Sequence, residues 1–174
     1  MGAIRLAGVI EESYTDGVGI RCTLFTQGCN HKCHNCHNPE TWDFKGGKLY
    51  DIDKLIEVIK ENPMLDGITV SGGDPMYRTA EVLELITKIR ERTTLNIWLY
   101  TGFIWEETRK GNMEECLADT DKLKILQNID ILVDGAFDEK LKSLCLRFRG
   151  SSNQRIIDVK KSLETGEVHK YIVD

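Results

Sequence analysis

Apolar positions along the chain change period several times, and each change marks an element. Arg21-Cys-Thr-Leu-Phe-Thr26 is a short run rich in β-formers, which predicts a strand leading straight into a cysteine-rich loop. Leu55, Ile56, Val58 and Ile59 lie on a helical stripe, with Asp51 or Asp53 as N-cap and Pro63 beyond its end. Gly67-Ile-Thr-Val-Ser71 reads as a buried strand, and Val82, Leu83, Leu85, Ile86 and Ile89 mark a helix starting near Arg78. Asn96-Ile-Trp-Leu-Tyr100 and Ile129-Asp-Ile-Leu-Val-Asp134 are two further strands. The region 104–128 between them is helical in composition and poorly periodic. Strands alternating with helices predict an α/β domain with a mainly parallel sheet.

No repeat, low-complexity stretch or proline-rich linker interrupts the pattern, so residues 1–174 read as a single domain. A hydrophobic content of 41% and a charged content of 29% are ordinary for a soluble globular chain. The net charge of −5 leaves no basic field, which argues against nucleic acid as a main partner. No apolar run has the length of a membrane span, and Met1-Gly-Ala-Ile-Arg-Leu lacks the regions of a signal peptide. Six cysteines, three of them clustered, suit a reducing compartment, and a cytoplasmic location is expected. The scattered Cys22, Cys116 and Cys145 read as small apolar core residues, and Trp42, Trp98 and Trp105 as core or interface anchors.

The clustered cysteines change the picture most. They follow the spacing Cys29-x-x-x-Cys33-x-x-Cys36. Three thiolates from one loop can hold three irons of a cubic [4Fe–4S] cluster and leave the fourth free for a small molecule, whereas electron-transfer clusters usually take four cysteines. Two other sites fit the same residues: zinc with His31, His34 or His37 as a fourth ligand, and a closed cluster completed by Cys22. Zinc modules usually bring a second ligand pair, which this chain lacks. Ser71-Gly-Gly-Asp-Pro75 follows a predicted strand, where parallel α/β folds gather their functional groups. Its two glycines allow main chain to lie directly against a ligand, although the same residues also make a plain turn. On this reading a branched side chain at Gly73 blocks the ligand and leaves a cluster in place.

The cysteine spacing resembles the signature of the radical S-adenosylmethionine (SAM) enzymes. In that family the amino and carboxylate groups of SAM chelate the open iron, and a Gly-Gly-Glu-like segment contacts the methionyl amino group. Gly72, Gly73 and Asp74 match that segment, with Asp in place of the commoner Glu. Asp16-Gly-Val-Gly-Ile-Arg-Cys-Thr-Leu-Phe-Thr-Gln-Gly-Cys29, Cys36-His-Asn-Pro-Glu-Thr-Trp42, Ser71-Gly-Gly-Asp-Pro75, Trp98-Leu-Tyr-Thr-Gly102, Val133-Asp-Gly135 and Arg149-Gly-Ser-Ser-Asn-Gln154 occur in that order. Together they resemble the activating proteins of the anaerobic (class III) ribonucleoside-triphosphate reductases.

The resemblance implies a shortened, open (partial) βα barrel of radical-SAM type. It makes Cys29, Cys33 and Cys36 the ligands of one [4Fe–4S] cluster, and it places Asn35, Cys36, His37 and Gly73 against SAM. Many radical-SAM enzymes carry an aromatic residue just before the third cysteine, so Asn35 would contact SAM through backbone or a small polar group. The implied chemistry is transfer of one electron from the cluster to the sulfonium of SAM. The products are methionine and a 5′-deoxyadenosyl radical, which takes hydrogen from a glycine Cα of the reductase; the cofactor carries the difficult step. The implied partners are that reductase and a low-potential electron donor such as flavodoxin or ferredoxin. An activase of the pyruvate formate-lyase type shares Cys36-His-Asn-Pro39, and a non-enzymatic iron–sulfur or zinc protein would share the cysteines alone. The Arg149–Gln154 segment favours the reductase, and its residues also suit turn caps.

Overall fold

Alternation of strand and helix persists along the chain in three dimensions. The computed structural model describes residues 2–106 and 116–173, without the side chains of 116–119. Its strands are β1 (Ala3–Ser13), β2 (Arg21–Thr26), β3 (Lys48–Asp51), β4 (Gly67–Gly72), β5 (Asn96–Tyr100), β6 (Ile131–Asp134) and β7 (Arg155–Asp158). The helices are α1 (Ile52–Glu61), α2 (Thr79–Arg92), α3 (Cys116–Gln127) and α4 (Val159–Thr165). All the strands join one sheet in the order β3-β1-β2-β4-β5-β6-β7. The central strands β2, β4, β5 and β6 run parallel. Antiparallel pairings flank them: β1 with β2 and β3 on one side, β7 with β6 on the other. The expected parallel sheet is therefore the centre of a mixed one.

Helix positions follow from periodicity and capping. Asp51 caps α1 by accepting from the Lys54 N–H at 3.1 Å, and the apolar face buries Ile52, Leu55, Ile56 and Ile59. Val58, placed on that stripe from the sequence, is half exposed instead: it lies off the 52-55-56-59 face. Helix α2 buries Val82, Leu85, Ile86 and Ile89. These faces pack with Ile4, Leu6, Leu24, Val70, Leu99 and Leu132 into the main core on one side of the sheet. Alternate strand residues point to the other side, where Trp98, Ile131, Val133 and Ile156 form a smaller cluster. Trp98 and Trp105 are core residues, as expected.

Two departures concern Cys145 and a missed strand. Cys22 is a core residue, but Cys145 is exposed, because its segment crosses the surface between β6 and β7. Cys116 lies outside the residues whose side chains are described, as does part of the poorly periodic 104–128 region. Strand β1 was not apparent in the sequence because its pairing with β2 shifts register between Leu6 and Gly8 and again between Ile10 and Ser13, which breaks the two-residue period. Among the described residues no helix is long and apolar enough to cross a membrane.

Candidate active site

The parallel strands deliver their carboxyl ends to one side of the sheet, and the loops that leave them enclose a cavity of about 620 Å³. Cys29, Cys33 and Cys36 are on its wall with Gly72 and Gly73. The ends of β5 and β6 add Tyr100, Thr101 and Gly135, and the chain before β7 adds Phe148, Arg149 and Gln154. Motifs far apart in sequence thus meet in one place because parallel strands share an end.

Main-chain hydrogen bonds set the cysteine loop. The N–H of Gly28 donates to Thr41 O at 2.7 Å, and that of Cys29 to Trp42 O at 3.2 Å, so the loop closes on itself around residues 28–42. Gln27 reinforces the closure through its Nε2, which donates to the carbonyls of Glu40 and Asp43. Trp42 borders the cavity and is half buried, so of the three tryptophans it alone stands at the site. Lys32 and Asn35 take the left-handed backbone region, with φ of 49° and 52°, which lets the chain reverse between cysteines.

The Gly-Gly segment fits against this loop backbone to backbone. Gly73 donates to Thr26 O at 2.7 Å and Asp74 to Gly28 O at 2.9 Å. A Cβ on Gly73 would stand 2.6 Å from the Gly28 carbonyl oxygen, too close for any side chain. The sequence reading of Gly73 as a ligand cradle alone is therefore revised: the position also lets the cysteine loop dock. Gly73→Val is expected to lower iron content, because the loop carrying Cys29 must move. Iron analysis after anaerobic reconstitution checks this, and full iron loading would show that the loop accommodates the side chain.

Asp74 is placed differently from its expected role at the cofactor. Its side chain is buried and absent from the cavity wall. The carboxylate accepts from Met76 N–H, Gly102 N–H and the Thr101 hydroxyl, each within 2.9 Å, and meets His31 Nε2 at 2.7 Å. It therefore joins the ends of β4 and β5 to the cysteine loop. The His31 ring packs at 4.7 Å from Phe103 and 5.3 Å from Tyr77, which fixes the stretch between Cys29 and Cys33. Asn35 is also off the wall: it is exposed and donates to Glu139. His37 reaches the cavity with its ring 5.1 Å from Phe137.

Burial dominates the electrostatics of the thiols. It pushes Cys29 up to about 11 and raises Cys33, although backbone N–H groups partly offset both shifts. Binding iron at these sulfurs must displace their protons. At the end of β6, buried Asp134 accepts from Arg155, which also pairs with Glu106. Those bonds raise the Arg155 pKa further and hold the start of the loop after β6.

The residues match a family model described as a 4Fe-4S single cluster domain over residues 15–157. The anaerobic ribonucleoside-triphosphate reductase-activating protein of Vibrio cholerae is 36% identical over 81% of this chain and 89% of its own. Those of Escherichia coli K12 (35% identical, 80% and 88%) and Enterobacteria phage T4 (32%, 82% and 86%) are similar over as much of their length. The chain belongs to the family of anaerobic ribonucleoside-triphosphate reductase-activating proteins. Among solved structures, QueE from Escherichia coli has a TM-score of 0.45 at 15% identity, covering 57% of this chain and 53% of that one.

The donor set suits the family's cluster better than the two alternatives. Among the described residues no three His, Cys, Asp or Glu side chains converge as ligands of one ion, as tetrahedral zinc requires. In a cubic cluster each thiolate meets its own iron, and Cys29, Cys33 and Cys36 share one cavity wall. His31 is committed to Asp74, and His34 is exposed beside Glu139. Cys22 cannot supply a fourth thiolate, since it belongs to the core on the helix side of the sheet. Among the described residues no fourth cysteine lines the cavity.

Proposed function

We propose that this chain cleaves SAM reductively and generates the glycyl radical on an anaerobic ribonucleoside-triphosphate reductase. The observation that carries the reading is the single cavity where Cys29, Cys33 and Cys36 face the glycine-rich end of β4. Cys29, Cys33 and Cys36 would hold the [4Fe–4S] cluster, and the main chain at Gly72 and Gly73 would receive the methionyl end of SAM, with His37 at the margin. Asn35 contributes through its loop, and Asp74 contributes by holding that loop. When bound, the two groups would supply one-electron reductive cleavage of SAM and a radical able to take hydrogen from a glycine Cα.

The chain's own part is to bind, orient and shield. Phe25, Trp42, Tyr100, Phe137 and Phe148 give the cavity apolar cover, which excludes water when a partner closes the mouth. The Tyr100 hydroxyl donates to Phe148 O at 2.8 Å, and burial raises its pKa, so it stays protonated and holds the segment that covers β5. No acid–base pair is needed for hydrogen-atom transfer, and the wall is built mainly from backbone, aromatic rings and thiols.

A protein substrate suits the mouth. Lys140, Lys142, Arg147 and Arg149 bring four cations and no acid to residues 140–149 of a chain whose net charge is −5. Leu144 stands 94% exposed among them. We read the sheet as an open partial barrel in one activase domain, with a low-potential flavodoxin or ferredoxin as electron donor and the cytoplasm as its location. The test is anaerobic incubation with SAM, a strong reductant and the cognate reductase, deuterated at the target glycine Cα. A glycyl doublet on the reductase by electron paramagnetic resonance (EPR), with deuterium recovered in 5′-deoxyadenosine, is the expected result. SAM cleavage that is equal with and without the reductase, and leaves no radical on it, would refute the assignment.

A further inference from the structure

The surface loop 143–150 has its two ends tied together. Ser143 N–H donates to Gly150 O at 3.3 Å, Lys142 bridges to Ser151, and Ser152 N–H donates to Leu141 O at 2.9 Å. Its return leg is fastened to the sheet. Phe148 takes the left-handed backbone region at φ 57°, its carbonyl accepts from the Tyr100 hydroxyl, and its ring meets Trp98 edge-on at 5.6 Å. Held in this way, the loop leaves Leu144 and Cys145 in solvent, while Leu146, Arg147 and Phe148 line the cavity.

Leu144 is 94% exposed on this fixed backbone, with Leu141 at 43% near the base. An apolar side chain gains by leaving water, and one on an ordered loop loses little conformational entropy when it binds. The acids next to it are already engaged: Asp138 accepts from the Lys140 N–H, and the Glu139 carboxylate meets His34 and Asn35. Among the described residues no carboxylate pairs with Lys140, Lys142, Arg147 or Arg149. An apolar tip among cations is complementary to an apolar socket rimmed by carboxylates. Because the same loop lines the cavity, whatever seats Leu144 also covers the mouth. An electron donor need only approach the cluster. The reductase must deliver a glycine Cα into the cavity and close it to water, so it is the partner that this position fits.

We propose that the 143–150 loop is a docking element for the reductase, with Leu144 seated in an acid-rimmed apolar socket beside the reductase's glycine loop. The inference rests on the radical-transfer reading above and names the surface that recognises the protein substrate. Lys140 and Lys142 steer the approach, an effect that weakens with salt. Leu144 is off the cavity wall, so binding of the partner is separable from binding of the cluster and SAM.

The experiment uses the reconstituted protein with dithionite as reductant and the anaerobic reductase as partner. Leu144→Asp should keep its iron and its reductase-independent SAM cleavage, while its Kd for the reductase rises about tenfold or more. Glycyl-radical yield should fall in step and recover at high reductase concentration. Lys140→Glu with Lys142→Glu should slow association several-fold and flatten its salt dependence. The wild type supplies a readout that needs no variant: alkylation of exposed Cys145, beside Leu144, should slow when the reductase is added. An unchanged Kd for Leu144→Asp overturns the proposal, and so does a Cys145 alkylation rate that ignores the reductase. A defect seen only with a protein electron donor, and absent with dithionite, also overturns it and assigns the loop to that donor. Failure of the underlying reading looks different: the reductase would bind through Leu144 and acquire no radical from the wild type, which leaves the docking surface standing.

Discussion

Alanine at any one of Cys29, Cys33 or Cys36 is expected to abolish cluster assembly and, with it, all glycyl-radical formation. The three sulfurs line a single cavity, and no other described cysteine reaches that wall. A cluster with one iron already lacking a protein ligand cannot lose a second thiolate and keep its cubic form. Cys22→Ala and Cys145→Ala should retain full iron content, because one lies in the core behind the sheet and the other is exposed. Burial holds the Cys22 thiol near 12, so it is also expected to resist alkylation in the folded protein. Iron and sulfide analysis of the five variants decides the matter. An iron-free Cys22→Ala, with its fold confirmed, would reinstate the closed four-cysteine site.

Asp74→Ala should produce the second large effect, on stability and cluster loading together. The substitution leaves two backbone N–H groups, a buried hydroxyl and His31 without their acceptor. Unsatisfied buried donors cost about 1–3 kcal/mol each, and allowing for partial relaxation the loss is about 3 kcal/mol. His31 would no longer tie the cysteine loop to β4, so iron content after reconstitution should fall as well. Urea unfolding with iron analysis measures both. Wild-type stability and full iron would show that Asp74 is not the hub its contacts describe. The distinction bears on mechanism: a residue that only touched SAM would change SAM affinity and leave the unfolding curve in place.

Strong local signals were legible without coordinates. Strands β2, β4 and β5 and the buried faces of α1 and α2 follow from β-rich runs and helical periodicity, which express themselves within a few residues. The cysteine spacing was equally plain, since three thiols within eight residues are held close by chain connectivity alone. Strand β1 and the four-residue β7 were not legible. One carries register shifts, and the other is too short to show a period.

At the site, sequence by itself determined the chemistry: three thiolates, a glycine pair after a strand, and motifs whose order belongs to one family. Tertiary structure decided what each does. Asp74 and Asn35 are neighbours of cavity-lining residues in sequence, yet one side chain turns into a buried hydrogen-bond hub and the other toward Glu139. Gly73 is needed where two backbones meet, a contact with a residue 45 positions away that no local pattern records. Asn153 and Gln154 lie over a hundred residues from Cys36, but the antiparallel return of β7 beside β6 brings them to the loop after β6, which lines the same cavity as the cysteines. Ligand type and local spacing are properties of a short stretch of chain, whereas side-chain direction depends on partners supplied by distant strands.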